Sequence, residues 1–111
     1  MALTKRIETQ AAHKELEHVY KTDATGNLIA LITGVTGKRI RIWRMFVTCA
    51  LAAKSVAILS GTDPLTTLFG QEHELKSHDG VPVFTCNAGE DFKVDPSDAT
   101  AWYYYLVYSI D

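Results

Sequence analysis

The side chains able to do chemistry in this 111-residue sequence are four histidines, two cysteines and scattered serines and carboxylates. His13 and His18 stand five residues apart, as do His73 and His78. A metal centre needs ligands that converge, and neither pair comes with an HExxH motif, a thiolate pair or a two-histidine, one-carboxylate pattern. On a strand, residues five apart face opposite sides, so His73 and His78 would not meet. They read as surface histidines. "LSGTD" (59–63) brings Ser60 and Asp63 near a turn. Nucleophilic catalysis also needs a base and an orienting group, and no GxSxG is present. "GED" (89–91) and "DPSD" (95–98) carry paired carboxylates. Asp95 and Asp98 are hard oxygen donors of the kind calcium takes, and equally the residues that build Asx turns. The sequence therefore assigns no catalytic, cofactor-binding or metal-binding residue and calls for no cofactor.

Cys49 and Cys86 each end an apolar run, FVTC and VFTC, outside any CxxC or CxxH arrangement. They read as buried free thiols, with a staple between two strand ends as the alternative.

The sharpest charge feature is "KRIRIWR" (38–44), with Lys38, Arg39, Arg41 and Arg44 around Trp43. Such a stretch can grip an acidic partner, stack on a sugar or hold phosphate. It is also what the solvated side of a strand looks like when Ile40 and Ile42 point inward, and charge there deters edge aggregation. Arg44 falls in phase with Ile40 and Ile42, so the strand requires a bulge or a covered pocket near Trp43. Acidic residues gather later, between 71 and 98, against only Lys76 and Lys93. A basic strand with acidic loops elsewhere suits docking with a second copy or a charged lattice.

The closing segment "AWYYYLVYSID" (101–111) poses a different problem. Read with period two, Trp102, Tyr104, Leu106, Tyr108 and Ile110 share one face, and Tyr103, Tyr105 and Val107 the other. A strand with one wet face should alternate apolar and polar residues. Three arrangements would cover the second face: packing on both sides, a sugar site, or contact with another protein. Tyrosine suits the last, because its ring is apolar and its hydroxyl stays satisfied when wet. Tyr103 and Tyr105 join Arg39, Arg41, Trp43 and Arg44 as candidate interface residues.

The elements that must position these groups read mostly as strands. Strands are expected over 28–33, 39–49, 54–61, 71–78 (an edge), 81–86 (an edge, from Pro82), 92–94 and 101–110. The stretch 62–70 contains Pro64 and reads as a loop crossing between sheets. Residues 11–21 fit either one short helix or a strand around Glu17–Lys21, with another near Lys5–Thr9; strand is favoured. Turn signals at ten- to twelve-residue spacing predict a single all-β domain over 1–111, an antiparallel β-sandwich of jelly-roll type. Within it, residues 1–25 are open to being an N-terminal arm or a swapped strand.

The totals set the class. Apolar residues make up 47%, enough for a core. The net charge of −2 does not ask for nucleic acid. No run approaches the ~18 apolar residues that span a bilayer, and no membrane partner is expected. The N-terminus lacks an apolar core of signal-peptide length, so a cytoplasm-like compartment is expected.

"GKRIRIWRMFVTCALAAKSVAILSGTDPLT" and the ending "YLVYSID" together resemble small β-sandwich virion proteins of phages. They are most similar to the capsid decoration, or staple, proteins of epsilon15-like short-tailed phages. The resemblance covers roughly 34–111 and rests on turn residues and strand order. It implies a non-enzymatic protein, a homodimer, that binds the capsid exterior in the virion after assembly in the host cytoplasm. Its partner would be the major capsid protein, whose subunits it would clamp together. The competing reading is a carbohydrate-binding module using exposed Trp43 or Trp102, and a third is a tail or receptor-binding accessory domain.

Overall fold

The computed structural model describes residues 16–52 and 54–111. The expected strand near Lys5–Thr9, and His13, lie outside them. The strands are β1 (Glu17–Asp23), β2 (Ile29–Ile32), β3 (Ile40–Cys49), β4 (Ser55–Ser60), β5 (Asp63–Phe69), β6 (Glu72–Lys76), β7 (Phe84–Thr85), β8 (Phe92–Pro96) and β9 (Trp102–Ile110). Residues 17–21 are thus strand, not helix.

The strands form two antiparallel sheets, ordered β1-β9-β3-β6, with β7 also on β3, and β2-β8-β4-β5. The pairing has a simple logic. About the β4–β5 turn the chain runs back along itself, β4 with β5, β3 with β6, β2 with β8 and β1 with β9. That long ribbon then curls until β9 meets β3 and β8 meets β4. This is the jelly-roll form of the β-sandwich.

Each sheet turns one face inward by period-two alternation. β8 buries Phe92, Val94 and Pro96; β4 buries Val56, Ile58 and Ser60; β9 buries Trp102, Tyr104 and Leu106. Stacked rings of Trp102 and Tyr104, centroids 6.3 Å apart, fill one part of the interior. Phe84 from one sheet meets Phe92 from the other at 6.1 Å. Where the ribbon ends, the β1–β2 and β8–β9 turns touch. A Cβ on Gly26 would stand 2.8 Å from the backbone nitrogen of Ala99, and its φ of +75° also demands glycine.

Two expectations need correction, and one alternative falls away. Residues 62–70 are not a crossing loop: β5 pairs with β4 in the same sheet, and the crossing follows at Gly70. Pro64 is tolerated because β5 is an edge, and Leu65 bulges beside it. The 81–86 strand shrinks to Phe84–Thr85, since Val83 and Cys86 bond β3 only through single backbone contacts. The staple between cysteines is ruled out within one chain. Cys86 donates its N–H to Ile40, at the start of β3, while Cys49 ends that strand. Nine residues at ~3.3 Å each separate them by about 30 Å, far beyond disulfide reach. Both thiols are buried and free, and burial pushes the Cys86 thiol upward.

Two expected outcomes test this core. A thiol reagent added to native protein should label neither cysteine, and both after denaturation. Tyr104 has a buried hydroxyl with no hydrogen-bond partner among the described residues. Tyr104→Phe should therefore leave stability unchanged or raise it in a urea titration. Burial holds the Tyr104 phenol well above its ordinary value of 10.0. The unfolded phenol ionises near that value and the folded one does not, so stability falls as pH climbs past it. Tyr104→Phe should flatten that alkaline decline.

Candidate functional site

The face of the β1-β9-β3-β6 sheet that points away from the core answers the question posed by the closing strand. Register places three rows across it. His18, Val107, Arg44 and Lys76 form one; Tyr20, Tyr105, Phe46 and Glu74 the next; Thr22, Tyr103, Thr48 and Glu72 the third. The middle row is a line of three aromatic rings. Tyr20 is 63% exposed, Phe46 37% and Tyr103 39%.

Phe46 reaches this face because of a bulge. Ile42 lies opposite Tyr108 and Arg44 opposite Val107, leaving Trp43 as the extra residue. Before it, Ile40 and Ile42 point inward; after it, Met45, Val47 and Cys49 do. Of the two expected alternatives near Trp43, a bulge or a covered pocket, the bulge is present, and it turns Arg44 outward. Trp43 lies half-buried over the same outer face, where its indole Nε1 donates to Ser109 Oγ at 2.9 Å. Ser109 is buried there although it shares the phase of Tyr103 and Tyr105.

The cations of 38–44 are largely satisfied within the chain. Arg41 Nε donates to Asp111 at 2.7 Å, and Arg44 donates to Glu74 at 2.5 Å. Arg39 donates to the Cys86 carbonyl at 3.2 Å. Lys76 approaches Glu74 at 3.7 Å. The Arg44 guanidinium and the Lys76 ammonium hold the exposed Glu74 carboxyl below its ordinary range. The acid-rich and basic segments thus meet as neighbouring strands of one sheet. Tyr105 is held too: its hydroxyl and His18 Nδ1 lie 2.6 Å apart, with ring centroids at 5.9 Å. Tyr103 stays open.

Trp102 is fully buried, so it offers no platform to a sugar. The groove beside it, about 270 Å³, is lined by Thr22, Asp23, Ala24, Ala101, Trp102 and Tyr103. Both Asp23 carboxylate oxygens accept from Thr25, leaving that acid committed to its own turn.

The groups first considered for chemistry serve the frame. Ser60 Oγ donates to Glu90 at 2.7 Å and accepts the Asn87 N–H at 2.9 Å. Asn87 Nδ2 donates to Asp63 at 2.8 Å and to Glu90 at 3.0 Å, and Asp91 accepts the Gly34 N–H at 2.6 Å. This cluster pins the loop before β8 to the β4–β5 turn. Asp98 bonds Lys54 at 2.5 Å and accepts from Thr100 at 2.8 Å, away from the exposed Asp95. His73 is half-buried on β6, while His78 is exposed beside Asp79 at 3.2 Å. Among the described residues no three His, Cys, Asp or Glu are placed to hold a metal ion.

Sequence reasoning missed Tyr20, Phe46 and His18. The signal for Phe46 was available: once a bulge is required near Trp43, every later residue of the strand changes face. Tyr20 was obscured by the helical alternative for its segment.

The fold and this face define a β-sandwich carrying an aromatic, charge-paired sheet surface. No protein-family model, curated protein or solved structure matches the chain.

Removing the buried Ser60 hydroxyl strands the Asn87 N–H, so Ser60→Ala should cost about 1–3 kcal/mol in chemical denaturation. The Glu74 and Asp98 carboxyls both lie below their ordinary values of 4.5 and 3.8. Their contribution is complete above those values and is lost as pH falls through the lowered folded ones. The melting temperature should decline below about pH 4.5, and less steeply in the Glu74→Gln, Asp98→Asn double variant.

Proposed function

We propose that this chain is a non-enzymatic structural protein of a phage virion that binds the outer surface of the assembled capsid. There it clamps neighbouring major capsid protein subunits together as a homodimer. The observation that carries the reading is the aromatic row Tyr20, Tyr105 and Phe46, with Tyr103 beside it, on a sheet face that no described strand covers.

The physical chemistry of that face favours protein over small molecules. Its rings supply apolar area, and Tyr105 is already oriented by His18, which lowers the ordering cost of contact. The arginines of this face arrive paired, Arg44 with Glu74 and Arg41 with Asp111. Covering the ring row beside them therefore does not bury an isolated arginine, and burying an isolated charge is the costliest event at an interface. A stable contact of this kind covers about 1,200–2,000 Å² in total, and a broad sheet face suits that better than a 270 Å³ groove does. The sandwich fold and the resemblance of 34–111 to decoration proteins point the same way.

The task would be mechanical. A protein that binds only the assembled shell stabilises it by mass action, by about 2.7 kcal/mol per site at a hundred times its dissociation constant. A dimer touching two subunits adds effective concentration, raising avidity by about 10²–10⁴. No chemistry at a catalytic centre is required.

Tyr103→Ser with Phe46→Ser should leave the melting profile close to wild type and lower occupancy on purified capsids at least about tenfold, since interface rings are typical hot spots. Unchanged occupancy would count against the proposal. Binding of the native protein to a glycan array, lost in the same variant, would favour the carbohydrate-binding alternative.

A further inference from the structure

A sandwich has free edges, and proteins usually guard them. Three of the four edges here are guarded. β5 contains Pro64 and a bulge at Leu65. β2 has four residues and a register shift at Leu31. On the far side of β3 the edge is broken into β6 and the two-residue β7. β1 is the exception. It runs seven residues from Glu17 to Asp23 in unbroken register with β9, without proline or bulge. No described residue pairs with its outer side.

A second feature points to what covers it. An antiparallel pair of identical strands about a two-fold axis perpendicular to the sheet keeps each side chain on its own face. The paired residue numbers then add to an even total. A total of 40 sets Glu17 against Asp23, and 42 sets Lys21 against Lys21; like charges directly opposite repel. A total of 36 places His18 against His18 and Glu17 against Val19. A total of 38 sets Glu17 against Lys21 twice, His18 against Tyr20 twice, and Val19 against Val19 on the axis. Only this register matches charge with opposite charge and puts an apolar pair at the centre.

We propose that two copies of this chain join β1 to β1 in that register, making one continuous sheet across the dimer. This deepens the homodimer of the proposed function and says nothing of what the dimer binds. On the outer face each Tyr20 comes to lie beside His18 of the other copy, so the two aromatic rows become one patch. Glu17 and Lys21 are free to rearrange. Their contacts within the chain, Tyr108 Oη to Glu17 and Lys21 Nζ to the Ala30 carbonyl, are both at 3.4 Å, the outer limit of a hydrogen bond. A short edge alone covers less than the ~1,200 Å² of a permanent dimer, so the pair should dissociate on dilution.

Sedimentation velocity over a concentration series, with no capsid present, tests this. Wild-type protein should pass from monomer to dimer as concentration rises. Glu17→Lys places four lysines at the seam and Lys21→Glu four glutamates, and each should weaken association about tenfold or more, or 1.4 kcal/mol. Mixing the two variants restores both pairings and should return association to within about threefold of wild type, an effect no folding defect can produce. A monomer at every concentration overturns the proposal. So does a dimer indifferent to both substitutions, or a mixture no tighter than its components. A monomer whose β1 amides resist hydrogen exchange would assign the edge to the chain's own first residues, and also overturns it. An intact seam with no capsid binding would sink the proposed function and leave this inference standing.

Discussion

Trp43 is the extra residue of β3, because Ile42 lies across from Tyr108 and Arg44 across from Val107. That one inserted residue decides the character of the molecule. A strand alternates strictly, so shifting phase by one residue sends every later side chain to the other face. Without the shift, Arg44 and Phe46 would follow Ile40 and Ile42 into the core, and Met45 and Val47 would be turned out. A guanidinium in an apolar interior without a partner costs far more than a local bend in one strand. The bulge removes that conflict, and in doing so presents Phe46 beside Tyr105 and Tyr20.

The outer face then follows from neighbours as much as from composition. Arg44 meets Glu74 because β6 pairs with β3, and Arg41 meets Asp111 because the chain ends beside the start of β3. Such exposed pairs contribute little to stability, commonly under about 1 kcal/mol. Their consequence here is different. They quench the charge of a strand that carries two arginines, leaving rings as the distinctive groups of the surface.

The curled ribbon has its own logic. Each inner strand of either sheet has neighbours on both sides, so the strands left open are the ribbon's ends and its fold. Three of these edges carry interruptions that blunt further pairing. β1 is regular and self-complementary, and lies next to β9, the most aromatic strand. The aromatic face therefore adjoins an edge that no described residue pairs with.

Much of this was legible in the sequence. Period-two alternation marked β3, β4, β8 and β9, and the misfit of Arg44 called for a bulge or a covered pocket near Trp43. Turn residues at regular spacing marked the sandwich. The faces of Trp102, Tyr104 and Leu106 against Tyr103 and Tyr105 followed from parity. Other features could not be read, because they depend on which strand lies beside which. Pro64 argued for a loop, and an edge position made it a strand. Ser60 and Glu90, thirty residues apart, meet only because the ribbon curls. Both cysteines looked alike in their local runs, yet the direction of β3 sets them at opposite ends of the molecule. Alternation is a property of the local backbone, so the sequence determines which side chains share a face. Adjacency is a property of long-range pairing, so only the tertiary structure decided which charges cancel, which edge no described residue pairs with and which rings line up.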